Sequence, residues 1–164
     1  MGRGFYERHL NGGRRFRTLN ILDEGVREGW AIEVDTALPA ERVVRVWEHV
    51  VAWRGQPQAI RLDHGPEFIA ERFMTWCAER GIALWYIQPG KPDQNAFIER
   101  YNRTDRTEVW NADVFESLEQ VREISAEWLQ SYNEERPHDA LAGLPPAMYR
   151  ARLEARSSPL KLSP

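Results

Sequence analysis

At 164 residues and 42% hydrophobic composition, the chain suits one domain with a full core and is too short for two ordinary ones. Seven Trp, six Phe and five Tyr exclude a disordered chain, and a lone cysteine, Cys77, excludes an internal disulfide and suits a reducing compartment. The net charge of −3 weighs against a nucleic-acid binder overall, yet Arg3, Arg8, Arg14, Arg15 and Arg17 crowd the start, and Lys91, Arg100, Arg103 and Arg106 surround a later segment. No apolar run approaches the ~18 residues of a membrane span, and the first twenty residues carry no signal-peptide apolar region, so a cytoplasmic protein without membrane contact is expected.

In chain order, "RRFRTLNILD" (14–23) and "GWAIEVD" (29–35) are rich in β-branched and aromatic residues and predict two strands. "NGG" (11–13) is a hairpin signal joining the first of them to an earlier strand near residues 3–9. From Pro39 the period changes: Val43, Val44, Trp47, Val50 and Val51 share one helical face. "AIRLD" (59–63) reads as a short buried strand, after which Gly65 and Pro66 turn the chain into a helix that Gly81 stops. The expected inner face of that helix is Ile69, Phe73, Trp76 and Cys77. "IALWYI" (82–87) predicts another strand, "PGKPDQ" a loop, and a helix follows through Glu99. Ser117 and Gln120 make a capping-box pattern opening a helix to about Tyr132, with Leu118, Val121, Ile124, Trp128 and Leu129 as its apolar stripe. Residues 151–164 are expected to be a tail beyond a core of residues 1–150. Hairpin strands followed by strand, helix, strand, helix predict an α/β fold with a mixed sheet covered by helices. In such sheets, sites gather beyond strand ends, and Asp63 ends a strand just before a tight turn.

Two carboxylates stand out, Asp63 in "RLDHGPEF" and Glu99 in "QNAFIER", with thirty-five residues between them. Spacing alone decides nothing, because 25 acidic residues in this length give roughly three pairs at any chosen separation by chance. On the residues alone, Asp63 serves equally as a cap of the turn at Gly65. Glu99 serves as a solvated partner of Arg103 at i+4, and His64 as a turn residue. Arg100, Arg103 and Arg106 form either a solubilising surface or a phosphate-binding one.

The surrounding residues add more. "DHGPEF", "PGKPDQNAFIERYNRTDR" and "YNEERPHDALAGLPPAMY", in that order and with those gaps, resemble the integrase catalytic core of bacterial insertion-sequence transposases of the OrfB type, related to retroviral integrases. The resemblance runs from about Gly13 to Tyr149. It implies a ribonuclease-H-like fold with a mixed five-stranded sheet flanked by helices. It implies DNA as partner, both transposon ends and target, cut and joined by metal-dependent phosphodiester chemistry. Two Mg²⁺ or Mn²⁺ ions would be held by Asp, Asp and Glu. Such ions take hard oxygen ligands and stabilise the entering and leaving oxygens of an in-line displacement. By motif, Asp63 is the second aspartate and Glu99 the glutamate, both catalytic and metal-binding, and Arg106 falls where the family carries a basic residue. Lys91, Asn95, Arg103 and Arg106 are the implied nucleic-acid contacts. "YNEERPH" (132–138) is expected to be structural or DNA-orienting.

The chain departs from the family at its start. Counting back about nine residues from Gly13, the family's first aspartate falls on Gly4. Glu7 lies on the opposite strand face and does not replace it; Asp23, ending the neighbouring strand, is the conceivable substitute. His64 stands where the family usually has Asn. The helix-turn-helix region expected upstream is also absent, so the chain is expected to be truncated at or near its first strand. The implied function is a transposase integrase core with an incomplete triad and impaired catalysis, self-associating or joining a full-length transposase. Two alternatives share these residues: a catalytically silent DNA-binding or oligomerising remnant that interferes with an intact transposase, and a same-fold nuclease with a rearranged triad.

Overall fold

The computed structural model describes residues 2–88, 90–110 and 114–157, with residues 2–6 and 92 described by their backbone. Strands β1 (Gly2–His9), β2 (Arg15–Asp23) and β3 (Glu28–Asp35) form an antiparallel sheet in the order β1-β2-β3. Gly13, at φ +78°, supplies the left-handed turn of the first hairpin. Helix α1 (Ala40–Arg54) leads to β4 (Ala59–Leu62), which pairs parallel with β5 (Ala83–Tyr86). Strand β1 runs beside β4. The five expected strands are therefore present as two hydrogen-bonded segments, three antiparallel and two parallel.

Strand β2 is buried on both sides over most of its length, with Phe16, Leu19, Ile21 and Leu22 supplying its apolar contacts. Leu19 and Ile21 face a core with Val43, Val44, Trp47 and Val50 of α1, Ile60 and Leu62 of β4, and Phe73, Trp76 and Cys77. Phe16, Thr18, Asn20 and Leu22 face the opposite layer, where α4 (Ala96–Asp105) and α5 (Leu118–Glu134) pack. The α5 cap forms as its sequence signals: the Ser117 side chain accepts from the Gln120 N–H, and Gln120 Oε1 accepts from the Glu116 N–H. Leu118 and Val121 are buried, and Ile124, Trp128 and Leu129 pack against them and their neighbours.

Two expectations are corrected. The helix predicted from Pro66 to Gly81 is broken: α2 (Pro66–Ile69) and α3 (Glu71–Glu79) are separated by Ala70 in extended backbone at φ −62°, ψ 135°. The break changes the helical phase, so Ile69 is 51% exposed and Phe68 takes the buried position instead. After α4 the chain continues as a π-helical turn, Arg106–Trp110, that buries Val109 and Trp110. The expected tail is helical through α6 (Pro146–Ser157). An Arg150–Glu154 pair at i+4 supports α6, and Arg150 docks it on Glu28 of β3 at 2.9 Å. Tertiary pairing, not an apolar stripe, makes that helix. Residues 158–164 lie outside the described residues.

The "YNEERPH" segment is largely architectural. Asn133 accepts from the Gly29 N–H at 2.8 Å and donates to the Gly29 carbonyl at 2.7 Å, clamping α5 to β3. Tyr132 packs edge-on against Tyr101 of α4, their ring centroids 4.9 Å apart. Position 29 must be glycine for this approach, because a Cβ there would stand 2.6 Å from both Tyr101 Oη and Leu129 Cδ1. Arg136 grips Glu108 with one nitrogen 2.6 and 2.8 Å from its two oxygens.

Candidate functional site

Asp63 follows β4 directly, and its Oδ1 accepts from the Gly65 N–H at 2.8 Å. This is the turn-capping role the residue types allow, and it engages one oxygen. Gly65 keeps the turn tight, since a Cβ there would stand 3.0 Å from Asp63 Oδ1. Glu99 projects from the first turn of α4, exposed, and among the described residues it forms no ion pair with Arg103. Asp63 and Glu99 line one open cleft of about 420 Å³, together with His64, Gln88, Lys91 and Asn95. The thirty-five intervening residues are the α2–α3–β5 excursion that returns the chain beside β4 through the parallel pairing.

The loop before α4 is tied down from both ends. Gln94 Oε1 accepts from the Gln88 N–H at 3.0 Å, and the Gln94 carbonyl accepts from the Arg61 guanidinium at 2.9 Å. Arg61 also pairs with Glu24 at 3.0 Å. A strand residue two positions before Asp63 thus sets where Glu99's helix begins. His64 stacks on Tyr86, ring centroids 4.9 Å apart, and the Tyr86 hydroxyl donates to the Phe68 carbonyl at 3.1 Å, so the imidazole packs over the end of β5.

Of the sequence-predicted contacts, Lys91 and Asn95 line the cleft, whereas Arg103 and Arg106 lie exposed on α4 and the turn after it. Asp23 does not line the cleft: its Oδ1 accepts from the Gly25 N–H at 2.8 Å and the Val26 N–H at 3.5 Å, capping the β2–β3 turn. Glu7 pairs with Arg15 at 3.3 Å on the sheet surface. Gly4 lies directly across from Asn20 in the β1–β2 register, so the two positions share the sheet face turned to α4.

That face carries a buried polar group the sequence reasoning missed. The Asn20 amide donates to Asn102 Oδ1 at 3.0 Å and to Asp105 Oδ2 at 3.1 Å, all three side chains being buried. Burial pushes the Asp105 carboxyl up to about 6 against the downward pull of Trp110, Asn20 and the Arg8 charge. The available signal was Asn20 itself, a polar residue between Leu19 and Ile21 in the apolar part of the strand.

The donor set suits a hard cation. Two carboxylates offer oxygen ligands, and Asn95 Oδ1, also at the cleft, is buried without a hydrogen-bond partner. Mg²⁺ is commonly held by one or two carboxylates plus waters and substrate phosphate oxygens, and Asp63 and Glu99 are carboxylates of that type at one cleft. No group of three His, Cys, Asp or Glu able to hold a metal occurs among the described residues.

Comparison with known proteins agrees with this architecture. A family model described as "Integrase core domain" matches residues 5–92, and a second with the same description matches residues 80–146. The chain is 38% identical over 149 residues to an insertion element IS476 uncharacterized 39.2 kDa protein of Xanthomonas euvesicatoria, covering 91% of this chain and 43% of that one. It is 39% identical over 146 residues to an insertion element IS407 uncharacterized 31.7 kDa protein of Burkholderia multivorans, covering 89% and 53%. The chain thus spans about half the length of these curated relatives. Among solved structures, it superposes on a chain of a simian T-cell lymphotropic virus intasome complex with a TM-score of 0.74 at 16% identity, covering 99% of this chain and 55% of that one. The HTLV-2 integrase catalytic core in complex with magnesium, in a trimeric form, gives 0.67 at 12% identity over 90% and 93%. The catalytic core of BIV integrase gives 0.67 at 20% identity over 94% and 96%. These likenesses establish the ribonuclease-H-like fold of the retroviral cores. With a family match over more than half its length and insertion-element relatives across most of it, the chain belongs to the integrase core domain family.

Proposed function

We propose that this chain acts on DNA at the Asp63–Glu99 cleft, as the core of a transposition protein whose metal site lacks one ligand. The observation that carries this is the convergence of Asp63, at the end of β4, and Glu99, on α4, on one open cleft with Lys91 and Asn95. Asp63 and Glu99 would hold Mg²⁺ or Mn²⁺, with Asn95 Oδ1 as a further oxygen. The ion would supply charge stabilisation at a phosphodiester. Lys91 offers its ammonium to a backbone phosphate at the same cleft, and Arg103 and Arg106 extend the positive surface along the helix. The tight turn at Gly65 and the Gln94 ties keep the two carboxylates on rigid supports, as a preorganised site needs.

Gly4 is the weak point. A residue there shares the face that carries Asn20 and looks toward α4, so an aspartate would enter the layer from which Glu99 projects. Without it, strand transfer is expected to be undetectable. The same observation favours a second function: a catalytically silent DNA-binding or oligomerising core that joins the complex of an intact transposase. A rearranged triad built on Asp23 is less well supported, because that carboxylate caps its own turn.

Metal titration of the wild type, Gly4→Asp and Glu99→Gln tests the proposal. The wild type should bind one Mn²⁺ weakly, Gly4→Asp should bind it more tightly, and Glu99→Gln should lose it. Two ions bound by the wild type at ordinary affinity, or binding indifferent to Glu99→Gln, would overturn it.

A further inference from the structure

Helix α4 rests on the sheet through Ile98, Tyr101, Asn102 and Asp105. At 100° per residue its flanks then point in opposite directions. Asn95 and Glu99 take one flank, toward the cleft; Phe97, Arg100 and Thr104 take the other, where they line a separate pocket of about 390 Å³. The opposite wall of this pocket comes from Arg27 in the β2–β3 turn and from Tyr132, Arg136 and His138 of the "YNEERPH" segment.

The pocket is cationic by construction. Arg27 has a left-handed backbone, φ 58°, and its guanidinium carbon lies 3.5 Å from the Phe97 ring centroid. The Arg27 and Arg100 guanidiniums have no carboxylate partner among the described residues. Arg136 is balanced by Glu108, which lies outside the pocket, and Asp139 is the one carboxylate on its lining. His138 contributes a buried Nε2 with no hydrogen-bond partner. Burial lowers the His138 pKa, and Arg136, Arg27 and Arg100 lower it further against an opposing Asp139, so all three guanidiniums act on one imidazole. Guanidinium groups present paired donors that match phosphate oxygens, and an orphaned imidazole nitrogen supplies one more polar contact.

We propose that this pocket is a second DNA contact, in which Arg27, Arg100 and His138 Nε2 receive a backbone phosphate of the strand whose reacting phosphate lies in the Asp63–Glu99 cleft. The inference rests on the DNA-directed function proposed above. A strand crossing the exposed face of α4 passes Arg103 between the two sites. The crossing is about one helix diameter, 10–12 Å, so one strand can reach both sites with phosphates a few nucleotides apart at most. Phosphate contacts of this kind set register without reading sequence.

The test uses the full chain and a fluorescent duplex oligonucleotide, titrated over a range of salt concentrations. Arg27→Asn with Arg100→Gln removes both guanidiniums while leaving position 27 a residue that tolerates the left-handed backbone. This pair should weaken binding about tenfold and make the log–log salt slope shallower by about 0.9, one phosphate's worth. In wild-type protein the His138 imidazole resonance should move to a higher titration midpoint with the oligonucleotide, and stay put with inorganic phosphate at equal concentration. That second measurement stands even if the double variant does not fold. A wild-type affinity and slope in the double variant, with binding lost in Lys91→Gln, would sink the second contact and leave the cleft function standing. Response of His138 to inorganic phosphate alone, in a protein that binds no DNA, would make the pocket a free-anion site and remove both proposals.

Discussion

Asp105 shows how one buried side chain couples the sheet to solution conditions. It is fully buried on α4, accepts from Asn20 at 3.1 Å, and burial holds its carboxyl at about 6. The folded value lies above the unfolded one of about 3.9, so the native state favours the protonated form. Its stabilising contribution is therefore full below pH 4 and is lost as pH rises through 6, a change on the order of 2–3 kcal/mol. Asp105→Asn keeps an acceptor for Asn20 and removes the ionisation. Urea unfolding should show this variant more stable than wild type at pH 8 and nearly equal at pH 4. An unchanged pH profile would assign the dependence to another group. Position 4 of β1 lies directly opposite Asn20 of β2 in the same layer, so this polar group also forms the setting into which a Gly4→Asp carboxylate would enter.

Among elements, α6 owes its place to charge rather than to apolar periodicity. Glu28 of β3, 1% exposed in its side chain, pairs with Arg54 of α1 and with Arg150 of α6 at 2.9 Å, joining three elements at one carboxylate. Removing that carboxylate strands the Arg54 guanidinium, only 13% exposed, and leaves Arg150 with Glu154 alone. Glu28→Ala should therefore cost about 3–5 kcal/mol in chemical denaturation. Arg150→Ala leaves the Arg54–Glu28 pair intact and should cost far less. Its signature should be local, as faster amide exchange confined to α6. Equal losses in the two variants would mean that α6, not the buried carboxylate, carries the stability.

For the whole molecule, the net charge of −3 conceals a division of charge between surfaces. Lys91 lies at the cleft with Asp63 and Glu99, Arg27 and Arg100 line the pocket on the other flank of α4 with Asp139, and Arg103 and Arg106 are exposed on α4 and the turn after it. On the proposed function, DNA binding should be weak, indifferent to sequence and dependent on salt. Three to five phosphate contacts give a log–log slope of about −3 to −5. Anisotropy titrations between low and moderate salt measure it. Tight binding that persists in high salt, or strong preference for one sequence, would show base readout that these residues do not supply.

What the residues determined by themselves was local or carried by motif. The five strands, the α1 face of Val43, Val44, Trp47 and Val50, and the Ser117 cap follow from period and capping chemistry within a few positions of one another. The three quoted motifs led to the integrase core family. Tertiary structure decided whatever depended on partners distant in the chain. Local pattern favours an unbroken helix from Pro66, but the extended backbone at Ala70 turns Phe68 inward and leaves Ile69 outside. The segment after residue 150 lacks an apolar stripe, and the arrival of Arg150 at Glu28, with packing against α5, makes it a docked helix. Asp63 and Glu99 are each ambiguous alone, and the parallel return of β5 beside β4 brings them to one cleft. Arg27 and His138 share a pocket across more than a hundred residues because Asn133 clamps α5 to Gly29 of β3. Periodicity reports which face of an element is buried. It carries no information about which distant charge or amide will meet that element, because that depends on strand order and helix crossing, which the folded chain alone sets.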